Sequence, residues 1–318
     1  MSAEHWPGGP GSVAGVRGEL RPRGPGSLGG ETRKAAPVLI RHYTDPSCPW
    51  AFSAERQRLR LLWLYGEQID WELHMVVLSE EVPEDFTPEK LSGAYRRLAV
   101  KFGMPIDWRE RIHVAPSVHA CRAVVAVRLR WPEQEAAMLR RLRVLNFAGE
   151  LLDDSDTLEM AAEQAGLPVQ ELAQWAAAPE VEEALQADML AARSPSPASR
   201  AQDYKLGGPE EQRRYTCPSY ELLRHTEPPA DWPTARRVDL PGFRPVEAYE
   251  AAIANLAPEL TRREDPSAPG EVLEWAGVPL ATVEVAAVMD REPADVRGEL
   301  ARGARFEPVG VDGYWSLA

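Results

Sequence analysis

The chain has 318 residues and a formal net charge of −13, which argues against nucleic acid or an anionic membrane as its main partner. Apolar residues at 44% and charged residues at 27% describe an ordinary soluble globular protein, long enough for one large domain or two smaller ones. Three cysteines are too few for a disulfide framework and suit a reducing compartment; no apolar run approaches the ~20 residues of a membrane span, so a cytoplasmic protein is expected.

Residues 1–36 are rich in Gly, Pro, Ser and Arg and lack the apolar centre of a signal peptide, so they are expected as a disordered tail. Residues 38–44 form a short apolar run between Pro37 and Asp45-Pro46, the pattern of a buried strand. Residues 52–65 carry leucines and aromatics at helical spacing and stop before Gly66. Residues 69–78 alternate Ile69, Trp71, Leu73, Met75 and Val77 on one face, which predicts a second strand. A strand, helix and strand this closely spaced imply a parallel pair joined by a right-handed crossover.

The Asp45-Pro46-Ser47-Cys48-Pro49-Trp50-Ala51 segment joins that first strand to that helix. A helix entrance carries unpaired N–H groups and the positive end of the dipole, and both favour thiolate over thiol. Such placement lowers a cysteine pKa from ~8.5 to roughly 3.5–7.5. Pro49 suits the first helical position, where no N–H is needed. A buried, inert cysteine is the alternative. Position 51 is Ala, so a four-residue disulfide loop cannot close here.

Helical signals then run alone from Thr87, an N-cap followed by Pro88, to about residue 193. Successive helices are expected up to Gly103 and over 116–130, 132–149, 155–166, 168–178 and 179–193. Strand character returns at 219–224 and 234–240, and an amphipathic helix is expected over 245–256. Residues 262–270 read as a charged, proline-bearing linker. Short helices over 272–275, 281–290 and 293–303, then strands over 305–309 and 314–317, predict a small winged-helix module at 271–318.

The order strand–helix–strand, helical insert, strand–strand–helix, with Cys48-Pro49-Trp50 at the first strand–helix junction, resembles the DsbA-like branch of the thioredoxin superfamily. Thr216-Cys217-Pro218, just before a strand of the second half, resembles that fold's cis-proline loop. The resemblance covers residues 37–260, with the helical insert at about 87–193, and implies an α/β thioredoxin-like fold. It implies Cys48 as nucleophile, with Pro49, Trp50, Thr216 and Pro218 lining the substrate. It also brings Cys217 close to Cys48, where it either replaces the partner missing at Ala51 or packs as a small hydrophobe. The departure at Ala51 speaks against a dithiol oxidase or isomerase.

Cys121, within a core-like helical stretch, reads as packing, as do His42 and His74 on their strands. His113 and His119 are flanking candidates from the insert, and no Cys/His spacing suggests a metal. Asp45 is either a pKa-tuning neighbour of Cys48 or an ordinary turn opening. From Glu271 onward acids outnumber arginines, so phosphate neutralisation cannot carry DNA binding there, and a packing or docking role is expected.

The expected activity is cytosolic thiol-disulfide exchange, in which Cys48 forms a mixed disulfide with a protein or small-molecule disulfide. No cofactor is expected, and a low-molecular-weight thiol is the cosubstrate of a one-cysteine variant. A thiol-dependent transferase or isomerase and a redox-silent binding protein are the alternatives. The oligomeric state is not readable from the sequence.

Overall fold

The computed structural model describes residues 35–225 and 236–318. The expected tail up to residue 34, and the strand start expected at Thr234, lie outside the described residues. β1 (Val38–Thr44) is buried along almost its whole length, as a central strand covered on both faces requires. At Cys48 the chain enters α1 (Pro49–Ser53) and continues, after a break at Ala54, as α2 (Glu55–Tyr65). The single helix expected over 52–65 therefore starts earlier and is interrupted. Ser53 Oγ donates to Pro49 O at 2.7 Å, and the Ala54 N–H is shared between Trp50 O and Ala51 O.

β2 (Ile69–Met75) runs parallel to β1 with Met75 opposite Thr44. It ends three residues before the expected Leu78, because Val77 takes a φ of 52°, outside any strand conformation. α3 (Pro88–Phe102) has the expected caps. Thr87 accepts from Lys90 N, and Gly103 closes the helix in the left-handed region at φ 71°. α4 (Val118–Arg130), α5 (Glu135–Ala148), α6 (Ser155–Gln164), α7 (Val169–Trp175) and α8 (Pro179–Ala192) complete the insert, and α9 (Pro197–Arg200) follows. Their core, including Val124, Met138, Leu142 and Leu185, continues into Leu73 and Met75 of β2.

β3 (Ser219–Arg224) and β4 (Arg237–Leu240) return antiparallel, giving a four-stranded sheet of order β2-β1-β3-β4. α10 (Val246–Leu256) is the amphipathic helix expected there and buries Tyr249, Ala252, Ile253 and Leu256. The result is an α/β thioredoxin-like fold with a large all-helical insertion.

The remaining elements are α11 (Pro269–Ala276), β5 (Leu280–Ala281), α12 (Thr282–Met289), α13 (Pro293–Leu300), β6 (Ala304–Val309) and β7 (Asp312–Leu317). Their sheet has order β5-β7-β6; the two-residue β5 carries too short a pattern to be read in the sequence. Val285, Val288 and Met289 share one core with Leu59, Leu61 and Trp63 of α2. Val283 and Tyr314 pack with Phe52 and Phe147. The segment read as a linker is pinned: the Arg263 guanidinium lies 3.5 Å from the Trp63 ring centre, and Trp63 Nε1 donates to Glu264 O at 2.8 Å. Arg291 of the α12–α13 turn and Arg297 of α13 are held by Glu299 and Asp312.

A buried ion pair fastens the C-terminal segment to the insert. Arg140 of α5 donates to both oxygens of Glu284, whose Oε2 also accepts the Ala281 N–H at 2.8 Å. Removing one member of such a pair strands the other charge away from water, at a cost of ~3–5 kcal/mol. Glu284→Ala should therefore lose stability of about that size in urea unfolding. The double change Arg140→Met with Glu284→Leu should recover most of it, and equal destabilisation by both would show that the pair is not what matters.

Candidate active site

The site is built where β1 meets α1. The Asp45 carboxylate, fully buried, organises the turn. Oδ1 accepts the Ser47 N–H at 2.8 Å and the Ser47 hydroxyl at 2.7 Å, an Asx-type turn that delivers Cys48 to the helix entrance. Oδ2 accepts Leu78 N and Ser117 Oγ at 2.8 Å each, and the Cys121 thiol at 3.4 Å. Cys121 thus serves the scaffold, and burial beside Asp45 pushes its pKa well up.

Cys48 is the N-cap of α1, with extended backbone, and its carbonyl accepts the Phe52 N–H at 2.9 Å. Facing it is Cys217, whose peptide bond to Pro218 is cis. As a thiol, Cys48 donates to Cys217 O at 3.4 Å. The neighbouring Cys217 thiol most of all, then the Ala51 and Trp50 N–H groups at the helix mouth, favour the thiolate over the thiol. These donors outweigh burial and the opposing charge of Asp45, so the Cys48 pKa falls below the ordinary thiol value. Burial, together with the hydrogen bond to Cys48 and its charge, drives the Cys217 pKa well up. The two sulfurs form an asymmetric pair, one poised as thiolate and one holding the proton.

The loop around Pro218 is fixed by its own hydrogen bonds. Thr216 Oγ1 donates to Lys205 O at 2.8 Å, and Ser219 Oγ donates to Thr216 O at 2.7 Å while accepting the Gly242 N–H at 3.0 Å. Tyr215 stacks on Tyr43 with ring centres 4.2 Å apart. Pro49 occupies the first position of α1. Trp50, 38% exposed beside thiols that are 5% and 8% exposed, stands as a lip over the site. It meets Phe102 at 5.2 Å and Phe243 at 5.8 Å, both edge-on.

The structure brings together all the residues anticipated for the site: Cys48, Pro49, Trp50, Thr216, Cys217 and Pro218. It leaves the histidines elsewhere. His113 pairs with Asp153 at 2.7 Å and His119 is exposed. His42 is buried against Tyr220 with neither ring nitrogen hydrogen-bonded among the described residues. Burial and Arg143 push its pKa well down, so it stays neutral. His74 is held by Glu72 and Asp188; their hydrogen bonds overcome burial and raise its pKa to about 9. Sequence reasoning missed Ser117, Phe102 and Phe243. The Asp45-x-Ser47 turn signal was present in the sequence, but nothing local marks the other contributors.

A thiol at the strand–helix junction, a cis-proline loop against it and a helical insert in the sheet define a thioredoxin-fold thiol protein of the DsbA type. Residues 39–196 match the family model of the DSBA-like thioredoxin domain, and this part of the chain is a domain of that family. A solved structure described as a "putative protein disulfide isomerase", from Nitrosomonas europaea, shares the fold. Its TM-score is 0.52 at 15% identity, over 70% of this chain and 98% of that one. A DsbA oxidoreductase described as "probable", from Streptomyces coelicolor, aligns with TM-score 0.48 and 17% identity over 71% of this chain and 93% of its own. The cytosolic disulfide reductase DsbM from Pseudomonas aeruginosa aligns with TM-score 0.45 and 16% identity over 70% and 93%. No curated protein sequence matches the chain. Among the described residues no helix is long and apolar enough to cross a membrane.

The asymmetry of the cysteine pair sets its pH behaviour. A lowered pKa keeps Cys48 ionised as pH falls, until pH passes through that lowered value. Iodoacetamide should therefore label Cys48 in the folded protein faster than a free thiol at neutral pH and below, with Cys121 and Cys217 protected. Mass spectrometry of digests reads this directly. A Cys48 rate following that of a free thiol would remove the thiolate from the site.

Proposed function

We propose that the protein is a cytoplasmic thiol-disulfide oxidoreductase in which Cys48 alone attacks the substrate disulfide and Cys217 completes the exchange. The observation that carries this reading is the Cys48 sulfur at the mouth of α1, facing the N–H groups of Trp50 and Ala51 with the Cys217 thiol as its neighbour. Three free cysteines and no structural disulfide among the described residues suit a reducing compartment.

The chemistry follows from the pair. The Cys48 thiolate attacks one sulfur of a substrate disulfide R–S–S–R′; the Cys48–S–S–R bond forms, the S–S bond of the substrate breaks, and R′–S⁻ leaves with the electron pair. Once the sulfur of Cys48 is bonded it carries no charge, and one of the influences holding the proton on Cys217 is gone. Cys217 then passes its proton to the departing R–S⁻ and attacks Cys48, leaving a Cys48–Cys217 disulfide and R–SH. An external low-molecular-weight thiolate can instead attack the R sulfur of the mixed disulfide, forming its own disulfide with R while Cys48 leaves as the thiolate. Thr216 and Pro218 supply the wall against which an extended substrate lies, and Trp50 and Pro49 the opposite one.

Incubation with a peptide disulfide followed by acid quench and intact-mass analysis tests the sequence of steps. Wild type should pass through a transient adduct on Cys48 to a species two mass units lighter than the reduced protein. Cys217→Ala should hold the adduct. An unreacted Cys48 in both proteins refutes the enzyme reading. An adduct equally short-lived in both, without the crosslink, refutes the role of Cys217 alone.

A further inference from the structure

An acidic protein places unpaired cations around its reactive thiol. Many arginines are neutralised by carboxylates, as Arg143 is by Glu55, Arg140 by Glu284 and Arg213 by Asp203, while others, such as Arg111 and Arg193, are held by carbonyls. Arg56, Lys101, Lys205, Arg214 and Arg244 have no carboxylate within 4.0 Å among the described residues. Their contacts are carbonyls, an amide and ring faces. Arg56 reaches Phe102 O at 3.5 Å, Arg214 reaches Tyr215 O at 3.0 Å, and Arg244 binds Pro241 O and Gln202 Oε1. Lys101 Nζ lies 5.1 Å from the Trp50 ring centre, and Lys205 Nζ lies 5.7 Å from that of Tyr204.

A chain of contacts links these residues into one rim. Lys101 and Arg56 meet the Trp50–Phe102 pair, which touches Phe243. Arg244 follows Phe243, and the Lys205 side chain comes within 3.2 Å of where a Cβ on Gly242 would stand. The Lys205 carbonyl holds Thr216, next to Cys217, and Arg214 bears on Cys217 from the same loop. Asp45 is buried among its donors and Asp203 binds Arg213, while Glu210 and Glu211, exposed on the same 205–214 segment, offset part of the positive charge. Leu78, which packs on the Cys48 cluster, leads to exposed Glu80, Glu81, Glu84 and Asp85, so the cations form one sector of the opening.

We infer that this rim selects disulfides that carry carboxylates beside the reacting sulfur. The inference rests on the proposed exchange at Cys48 and adds the substrate class. The step is unchanged: Cys48–S⁻ bonds to the sulfur nearer the carboxylates, and the other half leaves as its thiolate. Cations on α2 and α3 and on the 205–214 segment flank the thiol pair from different elements, which suits acidic residues on either side of a substrate cysteine. Charges of this kind act mainly on encounter and orientation, and they are screened as the Debye length shrinks from ~10 Å at 0.1 M salt to ~3 Å at 1 M.

The test compares stopped-flow rates of adduct formation on Cys48 for three peptide disulfides identical except for Asp, Asn or Lys on both sides of cysteine. A parallel pair of small disulfides, dithiodipropionate and cystamine, separates a peptide source of the carboxylates from a small-molecule one. At low salt the Asp peptide should react about tenfold faster than the Asn peptide and the Lys peptide slower still, with the spread collapsing in 1 M salt. The double variant Lys101→Gln with Lys205→Gln should bring the Asp-to-Asn ratio close to one. Lys101→Arg with Lys205→Arg should keep it, which separates charge from misfolding. A preference confined to the small pair assigns the rim to small anionic disulfides. Equal rates for every charge, or a ratio unmoved by the glutamine variants, overturns this inference and leaves the exchange reaction standing. No reaction with any probe overturns the exchange reaction itself.

Discussion

A single buried carboxylate, Asp45, ties the turn that carries the nucleophile to the helical insert. One oxygen shapes the turn that presents Cys48, and the other ties the chain after β2 and the start of α4 to the same point. Removing a carboxylate from water is costly unless donors replace the lost hydration, and here backbone N–H groups, hydroxyls and a thiol do so. The arrangement has an electrostatic consequence, because the same negative charge disfavours a thiolate on Cys48. The sulfur ionises readily because the donors aimed at it outweigh that repulsion.

The Cys48–Cys217 pair places the second thiol of the site on the cis-proline loop instead of within the helix. In a four-residue motif both sulfurs share one helix turn. In this chain Ala51 fills that position with a buried methyl while its N–H still serves the Cys48 sulfur. The partner therefore comes from a strand-bound loop 169 residues away, held by Thr216, Ser219 and Gly242. Separating the two thiols onto different elements gives them different surroundings, and that difference is what divides nucleophile from proton holder.

The C-terminal segment contributes to the same body. Its α12 completes the apolar cover of α2, and Val283 and Tyr314 seat beneath Phe52, four residues after the nucleophile. The helix that carries Cys48 is thus backed by residues from the helical insert and from the C-terminal segment. The segment runs helix, strand, helix, helix, strand, strand, and its Arg291 and Arg297 are held in internal ion pairs.

Local pattern was enough for much of this. The apolar run before Asp45, proline after Cys48, Thr87 and Gly103 as caps, and the repeat of short framed helices all act within a few residues. Such short-range chemistry is written in sequence order. The nucleophile and its cis-proline loop were legible because the resemblance links two short motifs to one place in a known strand order. Long-range pairings were not legible. The hub at Asp45, the union of Arg140 with Glu284, the arrest of β2 at Val77 and the cationic rim each join residues with no shared period. Only the folded chain decides which arginines find carboxylates and which remain free beside the thiol.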